Sequence, residues 1–442
     1  MSRRIKIKRG LDIPLEGEAS SRVDVDTHSD LFGIVPDDYP GYTWKCAVKP
    51  GEHIEAGDPL LMDKTLGKIF LTSPVSGTVD EVRRGERRKI LAVSVKREGE
   101  LKQVKYPDKI TKENFVDALC RTGLWALMRQ RPYDIVPSPE ERPRDIFITA
   151  VDTAPLAPAL FRAEDMELLQ SGVSALASLT KGNVYITFRA GEALQLSDCE
   201  VIEIEGPHPA GNVGVQINHI RPVDKGDVVW TMSVDVVRRI GKFVKEGIVD
   251  YSAMVAVTGP KTINPHFVST MVGASLKTVL EGFLPEDKDI RVISGNVLTG
   301  EKLKADEDFL RYPYRQVTII KEGTKTEEFM GWASLNPMKY SVKRTFPAFL
   351  RGLSKPFPFD ARIKGGHRAM ILSGEYDKVF LMDIYPEYLI KAIIARDIDK
   401  MEQLGIYEVA PEDFALPEFV DTSKNELQKI VRDGLDYLRR EI

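Results

Sequence analysis

The stretch Asp145-Ile-Phe-Ile-Thr-Ala-Val151 is a nearly continuous apolar run with the length of a buried strand. Three similar runs follow it, at 183–188, 200–204 and 253–257. In the segments between them, apolar residues recur at helical spacing over 158–179 and about 233–246. Because apolar strands that alternate with helices are typical of mostly parallel, helix-covered sheets, the sequence predicts an α/β domain here.

The chain before this domain has a different pattern. Residues 1–105 carry short apolar runs interrupted by glycine and proline, and they are predicted to be all-β. The clearest part is Val48-Lys-Pro-Gly-Glu-His-Ile-Glu-Ala-Gly-Asp-Pro-Leu-Leu61, followed by Ser73-Pro-Val-Ser-Gly77. This pair of segments resembles the barrel-sandwich hybrid of biotinyl and lipoyl carrier domains.

Those carrier domains attach a prosthetic group to one lysine on a hairpin before the Ser-Pro-x-x-Gly turn. Lys64 lies in a similar place here, nine residues before Ser73. That spacing is longer than expected of a carrier, and flexible flanking linkers are absent from the sequence. The pattern therefore favours an unmodified structural barrel, with a carrier function for Lys64 as the alternative.

The chain after the α/β domain divides into two further parts. Residues 258–330 have an α+β pattern, with strands expected near 290–298 and 316–320. The tail is mostly helical. One helix is predicted to begin at Pro386 and to stop at Gly405, and the last helix is predicted to begin at the capping box Ser423-x-x-Glu426.

Composition excludes several classes of protein. The 442 residues carry a net charge of −4, which argues against a general nucleic-acid binder. Cys46, Cys120 and Cys199 are too few and too scattered for a disulfide scaffold or a protein-held iron–sulfur cluster. The basic N-terminus lacks the apolar region of a signal peptide, and no run approaches the roughly 20 apolar residues of a transmembrane helix.

Familiar catalytic and cofactor motifs are missing. Gly295-Asn-Val-Leu-Thr-Gly300-Glu-Lys302 is one residue away from a phosphate-binding loop and lacks the Ser or Thr that holds magnesium. The six histidines form no metal-binding spacing, and no nucleophile elbow occurs. The sequence thus predicts no catalytic, cofactor or metal residue. The basic run from Arg83 to Lys89 is best explained as a solvated hairpin, with a lipid or partner contact as the alternative.

The most unusual segment is Gly206-Pro-His-Pro-Ala-Gly-Asn-Val-Gly214, which directly follows the run ending near Ile204. Loops at the carboxyl ends of strands in open α/β sheets are where ligands usually bind. The candidate residues for a ligand or partner site are Gly206, His208, Gly211, Asn212 and Gly214. The competing interpretation is a loop that only needs tight turns, or that makes a subunit contact.

Several long motifs occur together in one order: Ile5–Pro14, Ser73–Gly77, Arg131-Pro132, Asp145–Ala157, Gly206–Gly211, Val292–Gly300, Phe329–Trp332 and Met382–Pro386. On these motifs the chain is identified as a member of the A-subunit family of the sodium-translocating NADH:quinone reductase of bacterial respiratory membranes. The resemblance covers nearly the whole chain.

The resemblance implies an α/β multi-domain protein in four parts. These are a barrel-sandwich hybrid over 1–105, a Rossmann-like α/β domain over 106–250, a β-grasp, SLBB-like domain over 251–330 and a mostly helical region over 331–442. The last three parts are similar to the flavin subunit of complex I and the C subunit of the Rnf complex. Where those relatives have a glycine-rich flavin loop, Arg121–Met128 holds one glycine, and 419–424 has no cluster cysteine.

The implied function is that of a peripheral component on the cytoplasmic face of the bacterial inner membrane. No cofactor is expected in this chain. FAD, FMN, riboflavin and iron–sulfur centres are expected in partner subunits, some of them membrane subunits, and quinone is the substrate. This chain would contribute to quinone handling, with His208 as a hydrogen-bond donor, and to assembly of the complex. The alternatives are a Lys64 carrier and a purely structural subunit, and no nucleic acid is expected as a partner.

Overall fold

The computed structural model describes residues 3–26, 28–100, 104–160, 165–191, 195–324, 334–352 and 355–441. The motif Phe329–Trp332 and part of the predicted helix 158–179 lie outside these ranges. Within them, no helix is long and apolar enough to cross a bilayer.

The N-terminal part forms two antiparallel sheets that face each other across an apolar core. Its strands are β1 (Arg3–Lys6), β2 (Ser20–Val25), β3 (Leu31–Ile34), β4 (Trp44–Cys46), β5 (His53–Ile54), β6 (Pro59–Asp63), β7 (Phe70–Thr72), β8 (Gly77–Arg84), β9 (Ile90–Arg97) and β10 (Val104–Lys105). The sheets have the orders β3-β9-β8-β5 and β4-β6-β7. Leu60, Leu61 and Val93 are fully buried in this core. This is the barrel-sandwich arrangement that the sequence predicted.

The next part is a doubly covered, mostly parallel sheet. Its elements are α1 (Phe115–Arg121), β11 (Arg129–Arg131), β12 (Asp145–Thr149), α2 (Met166–Ala177), β13 (Val184–Arg189), β14 (Glu200–Glu205), α3 (Val213–Ile220), β15 (Val229–Ser233), α4 (Val234–Glu246) and β16 (Ile248–Val249). The strand order is β1-β14-β13-β12-β15-β11, parallel except at β11. Ile146 and Ile148 belong to the core that includes residues of α2 and α4, whereas Phe147 packs with Ile217 of α3. The α/β prediction is confirmed.

A second, mixed sheet follows. Its elements are β17 (Ser252–Thr258), β18 (His266–Met271), α5 (Leu276–Val279), β19 (Ile290–Ser294), β20 (Glu301–Leu303) and β21 (Gln316–Lys321), in the strand order β2-β18-β17-β21-β19-β20. The apolar run 253–257 was grouped with the strands of the parallel sheet, and that grouping was wrong. It forms β17, which pairs antiparallel with β18. An apolar run shows that a strand is buried, but not which sheet buries it.

The first 25 residues are shared between sheets. β1 pairs in parallel with β14 of the α/β sheet, and β2 pairs in parallel with β18 of the mixed sheet. The N-terminal chain therefore ties both later sheets to the barrel. The division of the chain at residues 105, 250 and 330 stays a prediction.

The C-terminal helices are α6 (Pro386–Ala395), α7 (Ile398–Gln403), α8 (Ala415–Val420) and α9 (Leu427–Glu441). The single helix predicted from Pro386 is broken, because the backbone of Arg396 is left-handed and the Asp397 side chain accepts the amide of Lys400 to begin α7. The capping-box prediction was also wrong. Helix α9 begins four residues after Ser423, whose hydroxyl donates to the carbonyl of Ala369.

Helices α2 and α4 touch at glycines. A methyl group at Gly241 would overlap the carbonyl oxygen of Leu168. We expect Gly241→Ala to lower the free energy of unfolding by about 1–3 kcal/mol, because backbone must move to admit it. Gly366→Ala is the matched control, since nothing lies within contact of its added methyl group. Thermal unfolding of both variants checks this, and equal melting temperatures would contradict the close approach.

Candidate functional site

A cavity of about 480 Å³ lies where four parts of the chain meet, with Asp37, Asp38 and Pro40 contributed by the barrel. The carboxyl ends of β12 and β15 supply Thr149, Val151 and Ser233, as expected for a parallel sheet. The mixed sheet closes another side with the turn 294–301, and the C-terminal region contributes Glu412. The near-miss phosphate loop of the sequence is thus a wall of this cavity.

The structure brings three of the five candidate residues to this cavity. His208, Gly211 and Asn212 line it. Gly206 and Gly214 do not. Gly206 packs on the backbone of Ile7, and a side chain at Gly214 would overlap the carboxylate of Asp413. These two glycines are required by close packing against Ile7 and Asp413.

His208 is only 3% exposed. Burial lowers the pKa of His208 to about 4, against the opposing charges of Asp152 and Asp12, so we expect a neutral ring at pH 7. Its Nδ1 lies 3.2 Å from the hydroxyl of Thr153, which accepts the amide of Gly211 at 2.9 Å. We assign the hydroxyl hydrogen to Nδ1 and the ring proton to Nε2, because in this tautomer the Thr153 hydroxyl both donates and accepts. That Nε2 is buried and has no partner among the described residues.

The N-terminal segment holds this loop in place. The amide of His208 donates to Asp12 at 2.8 Å, and its carbonyl accepts the amide of Leu11 at 2.8 Å. Gly10 is required here, because its φ is +125° and a side chain would overlap the His208 carbonyl. The motif Ile5–Pro14, which contributed to the family resemblance, is therefore part of the site's scaffold.

Charged side chains from the barrel and the mixed sheet line the opposite part of the cavity. Arg311 lies 2.6 Å from Asp38 and 3.2 Å from Glu301. Burial raises the pKa of Asp38 to about 6, although Arg311 opposes the shift. Arg315 lies 3.8 Å from Asp152, and its Nη1 has no partner within the described chain. Sequence reasoning missed these residues, since they come from distant turns without a motif.

A buried ion cluster joins the cavity to the C-terminal helices. The guanidinium of Arg131 lies 3.2 Å from Asp413 and 2.9 Å from Glu412. Both Arg131 and Asp413 are about 1% exposed at the side chain, whereas Glu412 faces the cavity. Burial raises the pKa of both carboxyl groups against the attraction of Arg131. Because two carboxyls share one cation, we expect them to hold a proton between them near neutral pH.

The segment expected to have lost its flavin loop is filled by side chains. Trp125, within Arg121–Met128, is fully buried and lies edge-on to Trp230 with ring centroids 5.1 Å apart. Among the described residues, no group of three or more His, Cys, Asp or Glu could hold a metal ion.

Lys64 is exposed at the start of the hairpin between β6 and β7. The turn is built by Asp63, whose buried carboxylate accepts the four backbone amides of residues 66–69. This network fixes the backbone next to Lys64. It does not involve the ammonium group.

Comparisons with known proteins agree over almost the full length. Family models described as "NqrA N-terminal barrel-sandwich hybrid domain", "NqrA second alpha/beta domain" and "NQRA C-terminal domain" match residues 5–98, 110–249 and 254–305. Proteins named as the A subunit of "Na(+)-translocating NADH-quinone reductase" from Rhodopirellula baltica and Yersinia pestis are each 34% identical over 99% of this chain, and cover 98% and 100% of their own lengths. The relative of that name from Pasteurella multocida is 33% identical.

Among solved structures, an NAD+-reducing [NiFe]-hydrogenase in the air-oxidized state matches 76% of this chain and 62% of its own, with 13% identity and a TM-score of 0.38. That likeness carries no argument about function. The fold and cavity define a multi-domain α/β protein with a barrel-sandwich domain and a site between its parts. The chain belongs to the A-subunit family of Na(+)-translocating NADH-quinone reductase.

The buried, neutral state of His208 predicts a pH dependence. Below pH 6.5 the unfolded chain takes up a proton at this residue, whereas the folded chain does so only near pH 4. The stability present above pH 6.5 is therefore lost as the pH falls through 4, by about 3 kcal/mol.

We expect His208→Gln to lose correspondingly less stability than the parent between pH 7 and pH 4, measured by denaturant unfolding. His28→Gln is the control, because it replaces an exposed histidine outside the cavity. Identical acid profiles for the parent and His208→Gln would show that His208 titrates normally.

Proposed function

We propose that this chain acts within a sodium-translocating NADH:quinone reductase as a peripheral subunit whose interdomain cavity receives the quinone headgroup. It lies at the cytoplasmic face of the bacterial inner membrane and binds other subunits of the complex, including membrane subunits. FAD, FMN, riboflavin and iron–sulfur centres belong to those partners, so that electrons reach the quinone from outside this chain. The names of its relatives support this placement.

One observation carries the quinone assignment: the buried Nε2 of His208 has no hydrogen-bond partner in the described chain. In the tautomer assigned above, this atom is a donor. A buried donor left unpaired costs about 1–3 kcal/mol, and a ligand acceptor removes that cost. A quinone carbonyl is such an acceptor, and it carries no charge that the neutral imidazole would have to balance. The 206–214 loop would therefore bind its ligand through His208, while Gly211 keeps the Thr153 support in position.

The apolar residues of the cavity fit a weakly polar ring. Val151, Ala154 and Val213 line the cavity, together with Leu160 and Met232. Met232 lies in β15 and Val213 begins α3, whereas the other three follow β12 in the chain. Ligand sites are commonly apolar with a few placed polar groups, and His208 is that group here.

The charged part of the cavity can bind the second carbonyl of the quinone and can supply a proton for its reduction. The Nη1 of Arg315 is a second donor without a partner in the described residues. Glu412 lies in the wall with a raised pKa, so it can hold a proton at the pH where an ordinary glutamate has lost it. Reduction of a quinone to a quinol takes up two protons, and a carboxyl of this kind can donate one.

We expect His208→Ala to raise the dissociation constant of a soluble short-chain ubiquinone by about tenfold, the value of one lost hydrogen bond. Affinity is measured by calorimetry on the purified chain, and the quinone reductase rate is measured in the assembled complex. In the complex we expect the KM for quinone to rise.

The matched control is His219→Ala. His219 lies in α3 beside the same loop, but outside the cavity, and should leave affinity unchanged. If His208→Ala changes neither affinity nor rate, the site assignment is wrong. If the parent chain shows no saturable quinone binding, the purely structural role of this subunit is favoured instead.

The carrier alternative makes a separate prediction about mass. We expect the chain purified from its native host to carry no added group on Lys64, because Lys64 lies at the start of a turn fixed by Asp63 and its spacing from Ser73 is unusual for a carrier. Intact-mass spectrometry of the parent and of Lys64→Arg checks this. An added mass on the parent that disappears in Lys64→Arg would establish a carrier.

A further inference from the structure

Exposed apolar side chains are concentrated in one part of the molecule. The segment 334–372, here called the basic segment, contains eight of the fifteen large apolar side chains that are exposed in the described chain: Leu335, Met338, Val342, Phe349, Leu350, Ile363, Ile371 and Leu372. Leu335 and Leu350 are 91% and 76% exposed. Residues 353 and 354 of this segment lie outside the described ranges. Such a concentration marks an interaction surface.

These exposed side chains do not belong to an incompletely packed core. The basic segment already buries its own aromatic residues against the rest of the molecule. Phe357 is fully buried and pairs with Leu15, and the ring of Tyr340 lies 5.4 Å from the rings of both Phe357 and Phe359. Phe346 is buried as well. The inner side is therefore packed, and the exposed apolar residues remain on the surface.

The charge of the basic segment is almost entirely of one sign. It contains eight cations, Lys339, Lys343, Arg344, Arg351, Lys355, Arg362, Lys364 and Arg368, and one acid, Asp360, in a chain whose net charge is −4. Lys339 is buried over the ring of Phe346, whereas Lys343 and Arg351 pair with Glu375 and Glu16 outside the segment. Arg362 and Lys364 neutralise Asp360 at 2.6 and 3.3 Å. Arg344, Lys355 and Arg368 form no ion pair with another residue of the described chain.

The neighbouring helix α6 adds two exposed tyrosines at its N-terminal end. Glu387 of α6 accepts the amides of Ser373 and Gly374 at 2.9 Å, which fixes α6 to the end of the basic segment. Tyr385 and Tyr388 of this helical end are 70% and 55% exposed. Tyrosines are typical of membrane interfaces, where the ring lies among lipids and the hydroxyl faces water.

We propose that the basic segment, together with the exposed tyrosines of α6, docks this chain on an anionic lipid surface. Positive charge with interspersed apolar side chains matches a bilayer, which presents a continuous negative layer with an apolar layer directly beneath it. An acidic protein would instead be recognised by cations that are each placed opposite one of its carboxylates. The basic segment adds an anchor to the proposed membrane placement, and it does not depend on the quinone site.

The basic run from Arg83 to Lys89 lacks the apolar side chains of the basic segment. Of its neighbours, only Leu91 is an exposed large apolar residue. The two ends of the run also pair with their own chain: Arg83 contacts the carbonyl of Glu307 and the carboxylate of Asp308, and Lys89 pairs with Asp37 at 2.7 Å.

The test is co-sedimentation of the full chain with vesicles of phosphatidylcholine alone or mixed with phosphatidylglycerol. We expect binding only to the anionic vesicles, and its loss in high salt. The triple variant Arg344→Gln, Lys355→Gln, Arg368→Gln should bind about 100-fold more weakly, since each cation near such a surface contributes roughly fivefold. Phe349→Ser with Leu350→Ser should weaken binding while the salt dependence is kept.

The matched control replaces three exposed lysines outside the segment: Lys112→Gln, Lys181→Gln and Lys288→Gln. It changes the net charge equally and should bind as the parent does. Circular dichroism and quinone affinity, unchanged in every variant, separate this test from that of the cavity. Equal binding to neutral and anionic vesicles, or equal loss in the control, would overturn the proposal. So would a triple variant that binds vesicles normally but no longer joins the complex, which would indicate an acidic protein partner.

Discussion

The buried guanidinium of Arg131 is the contact on which the arrangement of the site depends. It comes from the edge strand β11 and meets Glu412 and Asp413, about 280 positions later in the chain. Removing one partner of such a pair typically costs about 3–5 kcal/mol, because the remaining charge stays buried. The cluster therefore fixes the C-terminal helices against the α/β sheet. It also sets the position of Gly214, which packs on Asp413 at the start of α3.

The cavity exists because this contact and the N-terminal segment hold its walls from opposite sides. Glu412 enters the wall as a neighbour of Asp413, and Asp12 holds the amide of His208 on the other side. The backbone of His208 is hydrogen-bonded to the segment that follows β1, and its Nδ1 is hydrogen-bonded to Thr153. Only Nε2 is left free for a ligand, so that one donor is presented in a fixed direction.

In this fold, the packed core around Trp125 and the cavity lie in different places. Trp125 and Trp230 fill the space beside the segment Arg121–Met128, so this part of the α/β domain is a core. The cavity lies instead at the carboxyl ends of β12 and β15, where the sheet's edge meets the mixed sheet. The basic segment lies outside both. It buries aromatic residues on its inner side and exposes cations and apolar side chains. The packed core, the cavity and the basic segment thus occupy different stretches of chain.

Periodicity and turn residues determined the local features. The buried strand from Asp145, the β-rich first part and the loop 206–214 were all predicted, because strand length, apolar content and glycine–proline spacing are properties of neighbouring residues. Tertiary structure alone decided what these pieces touch. β17 joined the mixed sheet, and Ser423 bonded Ala369 rather than capping a helix. It also brought Arg131 to Asp413 and Arg315 to the cavity. Such contacts depend on desolvation and charge at positions far apart in the chain, for which a sequence pattern has no local signal.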